Sequence, residues 1–154
     1  MNISARTDYA IRALLTLAAA QAAGMQPVSA EALAAAQGLP KKFLEAILGD
    51  VKRGGLISAR RGSAGGYQLT AAAGSITLGQ VVRIVDGPLA EVRGERPQHA
   101  AYDGFAQHLP VVWVALRASL RQVLDEVTLA DVLTGSLPEH VRALADQPDA
   151  WRNR

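Results

Sequence analysis

Two short helical segments joined by a tight turn constrain the fold of this 154-residue chain more than any other feature. Ser29 is a good N-cap for the first helix, and Gly38 stands where a left-handed residue ends a helix. Pro40 opens the second helix at its first position, and the glycine pair at 54–55 ends it. The spacing therefore predicts a helix-turn-helix. The expected inward face of its second helix is Phe43, Leu44, Ile47, Leu48 and Val51.

A glycine-tipped hairpin follows the helix pair. Residues 56–59 and 67–70 are strand-like runs, and the seven residues between them include three glycines. Thr77 and Gln80 form a capping box for a further helix, which ends before a Gly-Pro pair. A helix-turn-helix followed by such a hairpin is the pattern of a winged helix, and an amphipathic helix over about residues 5–22 would complete its core.

A second apolar pattern lies in the last third of the chain. Pro110 starts a helix whose apolar residues repeat at a 3-4-3-4 spacing, as in the seam between two packed helices. The seam residues are Trp113, Leu116, Leu120, Val123 and Val127. The spacing predicts self-association, with a core helix of the same chain as the alternative, because the seam spans only about two heptads. Capping patterns at Thr128 and Pro138 predict two shorter helices after it.

These patterns predict a mainly α-helical fold with a small β wing. We divide the chain into a winged helix-turn-helix domain at 1–87, a linker or long loop at 88–108, and a dimerisation helix with C-terminal helices at 109–154. Residues 88–108 are assigned as a linker or loop because they contain prolines, glycines and charged residues, and their apolar residues do not recur at a helical or strand spacing.

Composition excludes several other classes of protein. Hydrophobic residues make up 49% of the chain and charged residues 19%, which excludes a wholly disordered segment. No apolar run reaches the roughly 18 residues of a membrane helix, and charged residues interrupt the N-terminal apolar stretch. We therefore expect a cytoplasmic protein with no membrane partner. The absence of cysteine excludes disulfides, thiol nucleophiles and cysteine-ligated metal centres.

Positive charge is concentrated in the first half of the chain. Residues 1–86 hold nine Lys and Arg against five Asp and Glu, a net charge of +4, whereas residues 87–154 hold seven against nine, a net charge of −2. Basic pairs recur at 41–42, 52–53 and 60–61. Clustering of this kind on a winged helix indicates a nucleic-acid contact, with an ordinary solvated face as the alternative.

Five segments carry a resemblance to a known family: residues 6–12, 40–48, 54–57, 61–69 and 76–82. In this order and at these separations they resemble the BadM/IscR-type family of bacterial winged-helix transcriptional regulators. The likeness covers nearly the whole chain, and the wing with the helix before it is its most specific part. The resemblance implies homodimers whose long C-terminal helices cross, and which bind near-palindromic operators in double-stranded DNA, mostly as repressors.

The same resemblance raises the question of an iron–sulfur cofactor. Many members hold a cluster with three cysteines in the loop before the long helix, whereas residues 89–108 here contain none. Because no thiolate is present to bind the iron, we expect a regulator without this cofactor. Asp8 occupies a place comparable to that of an acidic ligand in some relatives, and we expect it to stabilise the start of its helix instead. His99, His108 and Asp103 match no compact metal-ligand spacing, so no metal site is predicted.

DNA contacts are predicted at the start of the second helix and in the wing. The second helix of a winged helix enters the major groove. Glu45 is the candidate for base discrimination, because a carboxylate accepts a hydrogen bond from the cytosine amino group, and the family match places a base-reading acid there. An ion pair of Glu45 with Lys41 or Lys42 is the structural alternative. Arg61 aligns with the family's wing arginine. The full set of candidates is Ser4, Arg6, Pro40, Lys41, Lys42, Glu45, Arg60, Arg61 and Ser63.

The sequence also has features that bear on functions other than DNA-binding regulation. A winged helix can serve as a protein-interaction module, although the retained basic residues argue against that role. No arrangement of residues indicates catalysis, so we expect no enzymatic activity. Tyr102, Phe105 and Trp113 cluster around the loop before the long helix and would line a pocket for a small effector, with ordinary core packing as the alternative.

Overall fold

The computed structural model describes residues 2–152 and is mainly helical, with one two-stranded antiparallel sheet. Within these residues the helices are α1 (Ala5–Ala22), α2 (Ala30–Gln37), α3 (Lys41–Arg53), α4 (Leu78–Val85), α5 (Leu109–Leu124), α6 (Leu129–Thr134) and α7 (Glu139–Ala145). The strands are β1 (Ile57–Arg60) and β2 (Gly66–Leu69). The predicted class, mainly α with a small β wing, is confirmed. None of the helices in this part of the chain is long and apolar enough to cross a membrane.

Local sequence signals set the bounds of the helix-turn-helix. Ser29 Oγ accepts a hydrogen bond from the Ala32 amide at 3.1 Å, and Gly38 ends α2 with a φ of 63°. Pro40 precedes α3 as its N-cap and does not occupy the first helical position as predicted. Its ψ of 130° is extended, so the helical backbone starts at Lys41.

The wing is held against the helix-turn-helix by a close backbone contact. The turn between β1 and β2 closes at Arg60 opposite Gly66, so β1 begins one residue later than predicted and β2 one residue earlier. Val28 and Tyr67 exchange backbone hydrogen bonds of 2.9 and 2.8 Å. A Cβ at Gly66, where φ is 149°, would collide with the Val28 carbonyl. Glycine is therefore required where the wing meets the segment before α2.

Helices α4 and α6 begin side by side with the same capping chemistry. Thr77 Oγ1 accepts from the Gln80 amide at 3.3 Å, and the Gln80 side chain accepts from the Thr77 amide at 2.9 Å. Thr128 and Asp131 repeat this arrangement at 3.2 and 2.8 Å. Thr77 and Thr128 pair as an antiparallel bridge, with flanking backbone hydrogen bonds of 2.9 Å. The start of α6 is thereby fixed to the start of α4.

Helix α6 completes the hydrophobic core of the winged helix. Leu129 is fully buried in the same cluster as the core side of α1 and α3, and α6 packs on α1. Val127, just before α6, is only 3% exposed. The boundary predicted after residue 87 therefore does not separate two packing units, because the C-terminal segment returns to cover the core. Other fully buried members of this core are Leu14, Leu17, Leu33, Leu44, Ile47 and Ile76.

The segment 88–108 contains short ordered turns between α4 and α5. Arg93 and Gly94 have φ values of 54° and 78°, in a tight turn closed by two backbone hydrogen bonds of 2.8 and 3.0 Å. Short 3-10 helices follow at Pro97–His99 and Gly104–Ala106, and the first packs on α5. Turns and 3-10 helices of this length carry no amphipathic period, which is why the sequence pattern did not reveal them.

The predicted dimerisation seam lies mainly against its own chain. Helix α5 ends three residues before Val127, whose side chain is buried in its own chain at 3% exposure. Trp113, Leu120 and Val123 are half-buried in the same chain, and Leu116 is 47% exposed. The assignment of Val127 to a dimer contact is wrong, because Val127 lies beyond the end of α5 and is buried in its own chain.

A different face of α5 is uncovered. No residue of this helix is fully buried. At 3.6 residues per turn, Val111, Val114, Ala115 and Ala118 lie on the side away from the seam, and all four are exposed. The structure thus leaves an apolar strip of small side chains on α5 exposed within the described chain.

Candidate nucleic-acid interface

Helix α3 presents a small and basic face to solvent. Its core side consists of four residues with 0% exposure: Leu44, Ile47, Leu48 and Val51. The opposite side carries, at successive helical turns, Lys42, Ala46, Gly49 and Arg53. Between the two basic residues the side chains are only a methyl group and a hydrogen. The backbone of α3 can therefore approach the floor of a major groove closely.

An ion-pair network lies at one edge of this face. After Pro40, which is exposed, Lys41 Nζ bonds the Glu31 carboxylate of α2 and lies 3.8 Å from Glu45 Oε1. The hydrogen bond with Glu31 raises the pKa of Lys41, and the same bond lowers the pKa of Glu31. The ion-pair alternative for Glu45 is present, yet its side chain remains 40% exposed. Lys42 makes no ion pair within residues 2–152, whereas Arg53 pairs with Asp50 of the same helix.

The wing places its predicted residues in solvent. Arg60, Arg61 and Ser63 are all exposed, and neither arginine makes an ion pair within the described part of the chain. Both guanidinium groups can therefore meet phosphates or a narrow minor groove. Tyr67 lies beneath the wing, where burial raises the pKa of its hydroxyl. That environment agrees with a packing role for Tyr67.

Ser4 and Arg6, the N-terminal candidates for DNA contact, bind carboxylates of the same chain. Ser4 Oγ donates to Asp86 at 2.5 Å and accepts from the Thr7 amide at 3.1 Å. Partial burial alone would raise the pKa of Asp86, but the hydrogen bonds from Ser4 and the nearby Arg6 charge lower it. Arg6 also pairs with Asp50 of α3. These contacts fix the start of α1 against α3 and α4, and they leave Arg6 less able to neutralise a phosphate than Arg60 or Arg61.

Phe43 is a surface residue that the sequence pattern misplaced. It is 40% exposed and packs edge-on against Tyr9, with ring centroids 6.0 Å apart. The Arg12 guanidinium lies 5.5 Å from the centre of the Tyr9 ring. The inward assignment of Phe43 is wrong because it lies at the margin of the buried stripe, where α1 covers only one side of the ring. Its exposed edge is a further candidate for contact with a thymine methyl group.

The residues of the predicted effector pocket separate in the structure. Trp113 Nε1 donates to the Tyr102 hydroxyl at 3.3 Å, and the Arg93 guanidinium lies 5.2 Å from the Tyr102 ring centre. Trp113 lines a cavity of about 350 Å³ together with Leu116, whereas Tyr102 does not line it. Phe105 is fully exposed on a short 3-10 helix. The prediction that three aromatic rings form one pocket is therefore wrong, since Phe105 projects into solvent.

Most of the chain matches a known family of transcriptional regulators. A family model described as "Rrf2: Iron-dependent Transcriptional regulator" matches residues 3–135. The chain belongs to the Rrf2 family. It is 46% identical over 146 residues to the HTH-type transcriptional regulator Rv1287 of Mycobacterium tuberculosis (strain ATCC 25618 / H37Rv), which covers 95% of this chain and 89% of that protein.

Solved structures support the same assignment for this Rrf2 protein. CymR, the global cysteine regulator of B. subtilis, matches with a TM-score of 0.74 and 27% identity over 88% of this chain and 98% of CymR. IscR of T. potens matches with a TM-score of 0.69 and 29% identity over 88% of each chain. The resemblance to IscR-type regulators is confirmed, and the protein is a DNA-binding transcriptional regulator with a winged helix.

The description of the Rrf2 family names iron, but the donor atoms of this member do not fit an iron–sulfur cluster. The chain has no cysteine. Within residues 2–152 no group of three or more His, Asp or Glu side chains is placed to hold a metal ion. Asp8 lies in the first turn of α1, where its carboxylate is 3.6 Å from the Arg12 guanidinium. This Rrf2 protein therefore lacks the thiolate ligands on which cluster binding depends.

Proposed function

We propose that the protein is a homodimeric, sequence-specific repressor that binds DNA through α3 and the wing and acts without an iron–sulfur cluster. The observation that carries the proposal is the outward face of α3, which is narrow at Ala46 and Gly49 and basic at Lys42 and Arg53. A helix with this face can enter the major groove, where Lys42 would meet a phosphate directly and Arg53 would do so by turning away from its ion pair with Asp50. Arg61 on the wing would then reach the adjacent minor groove.

Glu45 discriminates between bases in this proposal. Its exposed carboxylate would accept a hydrogen bond from a cytosine amino group, while Lys41 turns from Glu45 towards a phosphate. A carboxylate near DNA is repelled by phosphates, so its benefit lies in rejecting the wrong base pair and not in raising affinity. Lys41 would keep its ion pair with Glu31 when it gives up the contact with Glu45, so it would still have one carboxylate partner.

The first experiment is enrichment of genomic DNA fragments on the purified, metal-free protein near physiological salt. We expect a shared near-palindrome. Glu45→Ala should then relax discrimination at one or two base pairs, by about 1 to 3 kcal/mol each. Glu31→Ala is the matched control, because it also removes a carboxylate from Lys41 but lies on α2, away from the bases. Equal base preferences for wild type and Glu45→Ala would refute the role of Glu45.

Arg61→Ala tests the contribution of the wing. Loss of this exposed cation should weaken binding to all sequences and reduce the dependence of log Kd on log salt concentration by about one unit. Arg142→Ala on α7 removes an exposed arginine far along the chain from the wing and serves as the control. An unchanged salt dependence in Arg61→Ala would exclude a phosphate contact at this residue. A run-off transcription assay on the enriched promoter distinguishes repression from activation.

The proposed dimer uses the exposed face of α5. This helix is about 24 Å long at 1.5 Å per residue and has no fully buried residue. Val111, Val114, Ala115 and Ala118 give it an apolar strip with small side chains, which allows a second α5 to cross closely. A two-fold axis through such a crossing would present two α3 helices to the two halves of a palindrome.

Ala118→Glu tests this arrangement by placing a charge in the middle of the strip. We expect the wild type to be a dimer at micromolar concentration by light scattering and Ala118→Glu to be largely monomeric, because an unpaired charge would be buried at the contact. Ala145→Glu adds the same charge to exposed α7 and should stay dimeric. A monomeric wild type, or equal masses for both variants, would contradict the proposed interface.

A further inference from the structure

A cavity of about 280 Å³ lies where α4, the segment after it and α5 meet. Four arginines line it: Arg83, Arg96, Arg117 and Arg121. Pro88, Leu89 and Ala90 supply its apolar surface. The cavity is separate from the outward face of α3 and from the wing, and none of the residues predicted for DNA contact lines it.

The charges around this cavity are only partly compensated. Arg83 donates two hydrogen bonds of 2.7 Å to Asp125, and this carboxylate raises the pKa of Arg83. Arg117 donates to the neutral Gln98 side chain at 2.6 Å. Arg96 and Arg121 make no ion pair within residues 2–152, although the charge of Arg121 also acts at a distance on Asp125. Three guanidinium groups thus border one small cavity without a carboxylate in contact with them.

We propose that this cavity binds a compact anion with two or three negative charges, of the phosphate or polycarboxylate class. Guanidinium groups recognise both kinds of oxyanion through paired hydrogen bonds. The mutual repulsion of the arginines would be relieved by such a ligand. The volume lies just below the usual range of roughly 300 to 1,000 Å³ for small-molecule sites, which favours a ligand with few atoms.

Binding here would connect the DNA-binding unit to α5. Arg83 belongs to α4 of the winged helix, whereas Arg117 and Arg121 belong to α5. A bound anion would fix the angle between these helices and, in the proposed dimer, the spacing of the two α3 helices. This regulatory consequence depends on the proposed function, but binding of the anion does not.

The test measures anion binding in the absence of DNA. Thermal unfolding is followed while inorganic phosphate or citrate is titrated at constant ionic strength, with chloride as the monovalent reference. We expect a saturable rise in Tm with one or both polyanions and little with chloride. Which of the two binds more tightly identifies the ligand class. No rise beyond that in chloride with either probe would overturn the proposal.

Variants locate the site. Arg96→Gln and Arg121→Gln change exposed side chains and should fold, and each should raise the Kd of the anion about tenfold or more. Arg142→Gln on α7 and Arg61→Ala on the wing should leave it unchanged. Equal Kd values in all variants would show non-specific binding, and loss only in Arg61→Ala would place the anion on the DNA-binding face. Either result would refute the cavity as the site.

The connection to DNA is measured separately. The Kd for the enriched operator is determined with and without a saturating anion, in wild type and in Arg121→Gln. We expect a change of tenfold or more in wild type that is lost in the variant. If the anion binds in the cavity and operator affinity does not change, the site stands and its regulatory role is excluded. If no operator exists, the proposed function fails while the binding result remains.

Discussion

Removing the side chain of Leu129 would test whether α6 belongs to the core of the winged helix. Leu129 has 0% exposure and lies among the residues that α1 and α3 bury. Truncation of a fully buried leucine to alanine removes its transfer free energy and leaves a cavity, which together cost about 2.5 to 4 kcal/mol. For a chain of this size the urea slope is about 2 kcal/mol/M, so the midpoint should fall by about 1.2 to 2 M.

Leu133→Ala on the same helix is the matched control. Leu133 is 40% exposed, so the same substitution should cost less than about 1 kcal/mol. Urea unfolding is followed by circular dichroism at one protomer concentration, because association of the folded chain would otherwise shift the midpoint. A cost for Leu129→Ala no larger than that for Leu133→Ala would refute the assignment of α6 to the core. It would support a winged helix that is complete without the C-terminal segment.

Two further predictions concern the contact between α4 and the end of α5. Gly79→Ala should lower the free energy of unfolding by about 1 to 2 kcal/mol, because a Cβ there collides with Asp125 Oδ1 and lies 3.0 Å from Arg83 Nη1. Gly74→Ala is the control, since a Cβ at Gly74 is 3.8 Å from its nearest neighbour, and it should change the free energy of unfolding in urea by less than about 0.5 kcal/mol. The hydrogen bonds from Arg83 lower the pKa of Asp125 against the opposing effect of burial, so their stabilisation is complete above the unfolded pKa of about 3.9 and is lost as pH falls through the folded value. Asp125→Asn should therefore lose less stability than wild type over this acid range, and an identical pH profile for both would contradict the role of the pair.

Features that depend on neighbouring residues in the sequence were predictable. The caps at Ser29, Thr77 and Thr128 lie where the sequence predicts them, because each needs only one side chain and a backbone amide three residues away. Gly38 lies at the predicted left-handed position because glycine has no Cβ to oppose that backbone conformation. The position of α3 and the wing follows from these signals. The candidate DNA contacts therefore lie on the predicted elements, although their roles in binding stay predictions.

Features that depend on distant neighbours were not predictable. An apolar period shows which face of α5 is covered, but not whether its own chain or a partner covers it. Leu120 is half-buried in its own chain, and its contact with a second protomer stays a prediction. The ion pairs of Arg6 with Asp50 and of Lys41 with Glu31 join different helices. No spacing in the sequence reveals such pairs, and they decide which cations remain available to DNA.

The paired starts of α4 and α6 connect the winged helix to the end of α5. The bridge between Thr77 and Thr128 and the hydrogen bonds of Arg83 with Asp125 both join α4 to the chain just after α5. One end of α5 is thus tied to the core on which α3 also packs. In the proposed dimer, a change in how α5 meets its partner would therefore move the winged helix as a body, because a close-packed core has few ways to deform. The arginine-lined cavity borders this same junction at Arg83, so the proposed anion would act where α4 of the winged helix meets α5 of the proposed dimer.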